Sequence, residues 1–172
     1  MIPPLNKLVL LVVLACLTSC AGYHLGIAKP AKLAHVNTIA VEMFGNASLH
    51  PRAEAIATSA VANAIVLDGT YRIVSVDHAD AVLEGRVDSI TYSSISNNRL
   101  DTLRPEELVN TVTLKWTLHD AKNPGLILMS GTSSATSQLF VTTNLQTARN
   151  NALPDAFDRA ATVLVSILAN GY

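Results

Sequence analysis

Apolar and polar residues alternate along several segments of the chain, and this pattern predicts β-strands. In "VNTVTLKWTLHD", Val109 to Asp120, the apolar residues Val112, Leu114, Trp116 and Leu118 alternate with polar ones. A period of two predicts a strand with one buried face and one solvent face. Further strands are predicted over residues 38–44, 70–74, 81–94 and 126–141. The last of these has a polar middle, which favours an exposed or edge strand, with Gly131 as a candidate β-bulge.

Helical spacing of apolar residues predicts a helix between the first two strands. Pro51 suits the first turn of a helix, and Asp68-Gly69 ends it, because glycine takes the left-handed conformation of a helix end without steric cost. The predicted buried stripe consists of Ala53, Ile56, Ala57, Ala60, Ala64 and Leu67. So many alanines indicate close packing against a flat partner, for which we expect a sheet.

A second amphipathic helix is predicted at the end of the chain. Its apolar stripe consists of Leu153, Phe157, Ala160, Ala161, Leu164 and Leu168. Residues 145–152 are interpreted as an earlier helical turn, kinked at Pro154 because proline removes a backbone hydrogen bond and clashes with the preceding turn.

The order of these elements predicts the fold class. A strand, a helix, several strands and a final helix favour an α+β fold, an α/β two-layer sandwich, with two helices on one face of a mixed four- to five-stranded sheet. The length of the segment 38–172 is typical of a single domain.

The N-terminal segment has the pattern of a secretory signal. Lys7 precedes an apolar run from Leu8 to Leu17, which is too short to span a bilayer but typical of a signal peptide. The run ends in Leu17-Thr18-Ser19-Cys20, the pattern of a bacterial lipoprotein signal, in which the cysteine becomes the lipidated first residue.

We therefore predict a lipoprotein signal peptide at 1–19, a lipidated tether at 20–37 and the folded domain at 38–172. Cys16 leaves with the signal and Cys20 carries a covalent N-acyl and S-diacylglycerol lipid, so no free thiol remains for a disulfide, a metal or catalysis. Several acyl chains hold a domain stably on a membrane surface. An aspartate directly after the lipidated cysteine favours retention at the inner membrane, and this chain has Ala21 there. We therefore expect the protein to be anchored on the periplasmic face of the outer membrane. A signal cut elsewhere, with Cys20 in the core, is the less favoured alternative.

Composition and motif spacing argue against several classes of function. The formal net charge is −1, whereas a nucleic-acid-binding protein typically has a basic stripe. Five histidines show no metalloprotease spacing, and "SGTSSA" lacks the second glycine of a nucleophile elbow. Asp77, His78 and Asp80 could be imagined as metal ligands, but such clusters between strands are more often turns. We expect no enzyme activity and no cofactor.

Basic residues in the strands and loops are candidate binding residues. Arg86, Lys115 and Arg72 fall on predicted strands, while Arg99 and Arg104 fall in the loop "NNRLDTLRPEE". Guanidinium groups hold phosphates by paired, charge-assisted hydrogen bonds. For any one of these residues, a solvated surface charge is the simpler interpretation. Ser134, with the other hydroxyl-bearing strand residues, is a further candidate contact.

Four stretches together resemble one protein family. "CAGYHLG", "IAVEMFGNAS", "LDGTYRIVSVDHADAVLEGRVDSI" and the threonine-rich strand around Trp116 are similar in order to the lipopolysaccharide-assembly lipoprotein (LptE) family. The chain departs from the family at Gly26, which directly follows Leu25 where members commonly have an arginine before the glycine.

The resemblance implies an α/β sandwich anchored in the outer membrane. It further implies a plug inside the β-barrel of the translocon LptD, help with the assembly of that barrel, and assistance in delivering lipopolysaccharide to the outer leaflet. Possible lipopolysaccharide or barrel contacts are Arg86, Arg99, Arg104, Lys115 and Ser134. Two alternatives stay open: a periplasmic regulatory lipoprotein that activates a cell-wall synthase, and a purely structural envelope lipoprotein.

Overall fold

A computed structural model describes residues 29–97, 105–140 and 144–171 of the chain. Two short 3₁₀ turns, at Ala31–Leu33 and Val76–His78, accompany the helices and strands. The strands are β1 Thr38–Val41, β2 Gly45–Asn46, β3 Arg72–Ile73, β4 Ala81–Asn97, β5 Pro105–Asp120 and β6 Ile127–Phe140. The helices are α1 Ala53–Asp68 and α2 Leu145–Asn170.

The strands form one mixed sheet of six strands in the order β3-β1-β4-β5-β6, with β2 paired beside β4. β1 pairs in parallel with both β3 and β4, and β2 pairs in parallel with β4. β4, β5 and β6 form a long antiparallel meander. The α+β class and the mixed sheet are confirmed. The strand count exceeds the predicted four to five because Gly45–Asn46, directly after the predicted strand 38–44, forms the short additional strand β2 beside β4.

Both helices cover the same face of the sheet, and the core lies between the two layers. The predicted stripe of α2 is buried in full, since Leu153, Phe157 and the following apolar positions are at most 3% exposed. On the sheet side, Leu114, Trp116 and Leu118 belong to the same core. The alternation around Trp116 therefore identified the buried face of β5.

The buried stripe of α1 differs from the prediction in its second half. Val61 and Ile65 are fully buried, whereas Leu67 is 87% exposed. α1 packs against α2 as well as the sheet. Because α1 contacts two partners, its buried face is wider than a single stripe and is displaced towards α2. The spacing of the alanines alone does not specify this displacement.

One further local prediction is confirmed and another is wrong. Residues 145–152 are helical, as predicted, and belong to α2, which contains Pro154. The first turn of α2 is capped by Asn144, whose Oδ1 accepts a hydrogen bond from Thr147 N at 3.1 Å. Gly131 pairs in regular register with Trp116, and the irregularity of the β5–β6 pair lies at Leu118/His119 instead.

The packed structure begins within the segment that the sequence assigns to the tether. Leu33 and Val36 are fully buried, and Lys29 lies over the Tyr71 ring, with 4.8 Å from its Nζ to the ring centroid. Among the described helices, none has the length and apolarity needed to cross a membrane.

Candidate binding surface

The sheet face opposite the helices is called the open face. Because side chains alternate along a strand, the neighbours of the core residues of β4, β5 and β6 point to this face. Arg86, Lys115, Thr117 and Thr132 on these strands are half-exposed or exposed. Among the described residues, no second layer covers this side of the long antiparallel strands.

Three charged residues form a cluster at the centre of the open face. Arg86 on β4 and Lys115 on β5 are directly opposite each other in the strand register, and like charges in such a pair repel. Asp88 lies between them, since its Oδ1 accepts a hydrogen bond from Arg86 Nη2 at 3.0 Å and its Oδ2 lies 3.0 Å from Lys115 Nζ. The hydrogen bond from Lys115, with the charges of both cations, lowers the pKa of Asp88. The cluster keeps one net positive charge.

A shallow open groove of about 530 Å³ lies beside this cluster. Its walls are side chains of three strands, and its lining consists of Glu84, Gly85, Arg86, Lys115, Trp116, Thr117, Ser130, Gly131 and Thr132. The groove is therefore lined by hydroxyl and charged groups, with few apolar side chains.

Gly85, Trp116 and Gly131 occupy one row across β4, β5 and β6 beneath the groove. A Cβ at Gly131 would lie 2.6 Å from Trp116 Cζ2, and one at Gly85 would lie 2.4 Å from Phe44 Cε2. Both glycines therefore make room for an aromatic ring on the core side. The role of Gly131 is close packing, which explains the regular strand at a position predicted to bulge.

The hydroxyl-bearing residues of β6 divide between the two faces. Ser134 is exposed on the open face, where its Oγ donates to Val112 O at 3.0 Å and lies 3.3 Å from Thr113 Oγ1. Ser133 and Ser137 are buried on the helix side, and Ser137 Oγ donates to Ala152 O at 2.8 Å. Strand geometry therefore places only alternate hydroxyl-bearing residues of this stretch on the open face.

Asp80 anchors the start of β1 by hydrogen bonds. Its Oδ2 accepts hydrogen bonds from Asn37 N at 2.9 Å, Thr38 N at 3.0 Å and Thr38 Oγ1 at 2.9 Å. These bonds, led by the two backbone donors, lower the pKa of Asp80. Nearby, His78 Nδ1 lies 3.0 Å from Ser75 Oγ. Within the described ranges no group of acidic, histidine and cysteine side chains is arranged to hold a metal.

The structure brings together some of the predicted binding residues. Arg86 and Lys115 are adjacent, and Ser134 lies on the same face, on the neighbouring strand β6. Cys20, Arg99 and Arg104 lie outside the described residues. Sequence reasoning missed Asp88, although its position two residues after Arg86 on a strand places both side chains on one face.

A second polar cluster, on the helix side, was also missed. Tyr92 on β4 places its hydroxyl 3.1 Å from His50 Nε2, and the Arg149 guanidinium of α2 lies over the Tyr92 ring at 4.6 Å. Burial, with the Arg149 charge, lowers the pKa of His50. Burial raises the pKa of Tyr92. The three residues come from distant parts of the chain, so no sequence spacing indicates them.

Comparison with protein families gives one match. The family described as "LptE: Lipopolysaccharide-assembly" matches residues 36–167 of the chain, which covers the sheet, α1 and all but the last three residues of α2. A search of curated proteins finds no match.

Solved structures with a similar fold include several bacterial proteins. The hypothetical protein CT253 of Chlamydia trachomatis has a TM-score of 0.55 and 8% identity over 80% of this chain and 99% of that one. Protein XCC0632 of Xanthomonas campestris has a TM-score of 0.54 and 14% identity over 79% and 86%. A minor lipoprotein of Acinetobacter baumannii has a TM-score of 0.52 and 11% identity over 80% and 95%. At these identities the likeness extends to the fold alone.

Proposed function

Since the chain belongs to the LptE family of lipopolysaccharide-assembly proteins, we propose that it is anchored through Cys20 on the periplasmic side of the outer membrane. There it plugs and helps assemble the β-barrel translocon LptD and assists the insertion of lipopolysaccharide into the outer leaflet. The observation that supports this proposal best is the open face, a polar surface of three long strands that no described helix or strand covers.

The chemistry of the open face suits contact with the inside of a barrel. Lumen-facing residues of membrane barrels are polar, while the apolar band faces lipid. Thr113, Thr117, Ser130 and Ser134 offer hydroxyl groups that hydrogen-bond such a wall, and an uncharged hydroxyl is less costly to desolvate than a charge. The helix layer exposes apolar residues such as Val66 and Leu67, whereas the groove at the centre of the open face is lined mainly by hydroxyl and charged groups.

The charged cluster supports a role in lipopolysaccharide contact. Arg86 and Lys115 are about half exposed, at 56% and 50% of their side-chain surface, and can therefore reach a phosphate without unfolding. Asp88 neutralises one of the two charges, so a phosphate group competes with this carboxylate for the same donors. Arg99 and Arg104 remain proposed contacts on the basis of the sequence.

Site-specific photo-crosslinking tests which face meets the barrel. A crosslinking amino acid placed at Arg86, Lys115 or Ser134 should capture the barrel in cells, whereas one placed at Ser59, which is exposed on α1, should capture it much less. Equal capture from both layers would remove the open face as the contact surface. Capture of a penicillin-binding protein instead would favour the regulatory alternative, and no capture by a lipidated, folded chain would favour a purely structural lipoprotein.

Depletion of the chain tests the assembly role. We expect less correctly assembled barrel and less surface lipopolysaccharide, both restored by the wild-type gene. An Arg86→Ala/Lys115→Ala variant tests the two roles separately. If it restores barrel assembly but not surface lipopolysaccharide, the charged cluster serves lipopolysaccharide insertion and is not needed for assembly of the barrel. Normal levels of both after depletion would contradict it.

A further inference from the structure

The outer edge of β6 is long and unprotected. β6 is the terminal strand of the sheet and has 14 residues, whereas β3 at the opposite edge has two. No strand within residues 29–97, 105–140 and 144–171 pairs with the outer edge of β6. Natural sheets protect such edges with charged residues, proline, bulges or a covering element, because unpaired backbone groups there accept another strand.

The sequence of β6 contains none of the protective residues. Ile127–Phe140, "ILMSGTSSATSQLF", has no charged residue and no proline. Its pairing with β5 is regular from Met129 to Phe140, so this part is not twisted away by a bulge. An edge of this kind has backbone donors and acceptors available along most of its length.

We propose that this edge binds a second copy of the chain, with the two β6 strands antiparallel and Ser134 opposite Ser134. In this register Thr132 faces Thr136, and the apolar ends face each other as Met129 with Leu139 and Leu128 with Phe140. The remaining pairs combine small or polar residues without charge. Uncharged, similar side chains in directly opposite positions favour pairing, and no like charges repel. The strand is therefore complementary to itself.

The same register also matches the two faces of the sheet. Residues that meet across the axis are an even number of positions apart, so a core-side residue meets a core-side residue and an open-face residue meets an open-face residue. The two helix layers then lie on one side of a continuous sheet. Phe140, 70% exposed in the single chain, gains a partner in Leu128 of the second copy.

This pairing concerns the chain when it is not engaged with a barrel. It requires neither the lipid on Cys20 nor the proposed translocon, so it stands or falls independently of the proposed function.

A disulfide at the axis tests the register. In the full-length chain purified in mild detergent, Ser134→Cys should give a disulfide-linked dimer on mild oxidation, because residues opposite each other on paired strands lie about 5 Å apart, within reach of a disulfide. Thr113→Cys is the matched control, since Thr113 lies one strand inward on β5, opposite Ser134. The two copies of Thr113 would be three strand spacings, about 14 Å, apart, so we expect at least about tenfold less dimer. The wild-type chain reports any disulfide formed through Cys16 or Cys20.

A charge at the axis tests the interface without crosslinking. The mass from light scattering should be that of a dimer for the wild type and for Ser134→Thr, and that of a monomer for Ser134→Lys, which places two ammonium groups on the axis. Circular dichroism should be unchanged, because Ser134 is exposed. A monomeric wild type, a dimer that persists in Ser134→Lys, or equal crosslinking by both cysteine variants would overturn the proposal.

Discussion

At the scale of single residues, a few side chains hold special positions that their neighbours depend on. Gly131 leaves room for Trp116, and Asp80 binds three donors at the start of β1. The sequence indicates these positions as a bulge and a turn, whereas their roles are packing and anchoring. Single substitutions at these positions distinguish the two interpretations.

Gly131→Ala should lower the free energy of unfolding by about 1–3 kcal/mol, the usual cost of overpacking a core. The added methyl group would press on Trp116 Cζ2 from 2.6 Å. Gly125→Ala is the control, because its Cβ would meet nothing closer than 3.6 Å, and it should change stability little. Urea unfolding measures both, and equal effects would show that the glycine is not needed for close packing.

Trp116→Ala should destabilise the fold by about 3–5 kcal/mol, as for other buried large aromatic residues. Trp116 is 3% exposed, and its Nε1 has no hydrogen-bond partner among the described residues. Trp116→Phe should therefore cost much less than alanine, since it keeps part of the ring volume and removes the unpaired donor. Because this is the single tryptophan of the chain, a fluorescence maximum typical of water-exposed indole in the native protein would contradict the assignment.

Asp80→Ala should cost about 1–3 kcal/mol at neutral pH, through the loss of hydrogen bonds to a charged acceptor. The folded pKa of Asp80 lies below its ordinary value of 3.8, so its contribution is present above about pH 4 and is lost as pH falls through the folded pKa. The wild-type and Asp80→Ala stabilities should therefore converge in acid. Asp77→Ala, at an exposed position three residues away, is the control and should change stability little at neutral pH.

Cys20→Ala should block lipidation and leave an unprocessed precursor. Leu17-Thr18-Ser19-Cys20 is the sequence on which this prediction rests. Metabolic labelling with palmitate measures the lipid directly, and gel mobility reports cleavage. Persistent labelling of the variant would place the anchor at another residue.

At the scale of elements, α2 combines a clear pattern with one unfavourable residue. Its apolar stripe identified the buried face, because a long helix on a single sheet face repeats its contacts every turn. Pro154 lies within the helix and is exposed. Packing on either side therefore holds the proline in a helix that local propensity would end or kink.

Pro154→Ala should stabilise the fold by about 1–3 kcal/mol, because it restores a backbone donor and removes a steric clash in the helix interior. Thermal unfolding of the full-length chain measures the change. Asp158→Ala, an exposed position one turn later on α2, controls for the general gain from placing alanine in a helix. If both variants raise the melting temperature equally, Pro154 does not destabilise α2 more than an ordinary exposed residue does.

At the scale of the whole molecule, the shifted pKa values predict how stability depends on pH. The pKa of His50 lies below its ordinary value, so the unfolded chain binds more protons in mild acid and stability falls as pH decreases. Burial, with the charge of Asp68, raises the pKa of Tyr71 to about 12, so the native state keeps a proton that the unfolded state loses above about pH 10. Stability should therefore be greatest between these limits and fall on both sides.

Denaturant midpoints at about pH 5, 8 and 11 measure this profile. Tyr71→Phe should reduce the loss of stability between pH 8 and pH 11, here called the alkaline limb. It should also lower stability at every pH, because it removes the hydrogen bond that Tyr71 Oη donates to Leu168 O at 2.8 Å. His50→Phe should flatten the limb in mild acid while leaving the alkaline limb in place. An alkaline limb that persists in Tyr71→Phe would assign it to other groups, such as Tyr92.

The sequence by itself determined the element types, the buried faces of β5 and α2, and the family. These features depend on local periodicity, which strand pleat and helix pitch convert directly into a face. It also indicated Arg86 and Lys115 as candidates, because both are basic residues on strands.

Only the tertiary structure decided where these faces meet and what lies between them. Strand order and the placement of α1 between two partners determine four features. These are the exposure of Leu67, the position of Asp88 between two cations, the His50–Tyr92–Arg149 cluster and the outer edge of β6, with which no described strand pairs. Such features arise from contacts between residues that are far apart in the chain. The same periodic pattern of apolar residues fits many arrangements of helices and strands, so local spacing does not specify these contacts.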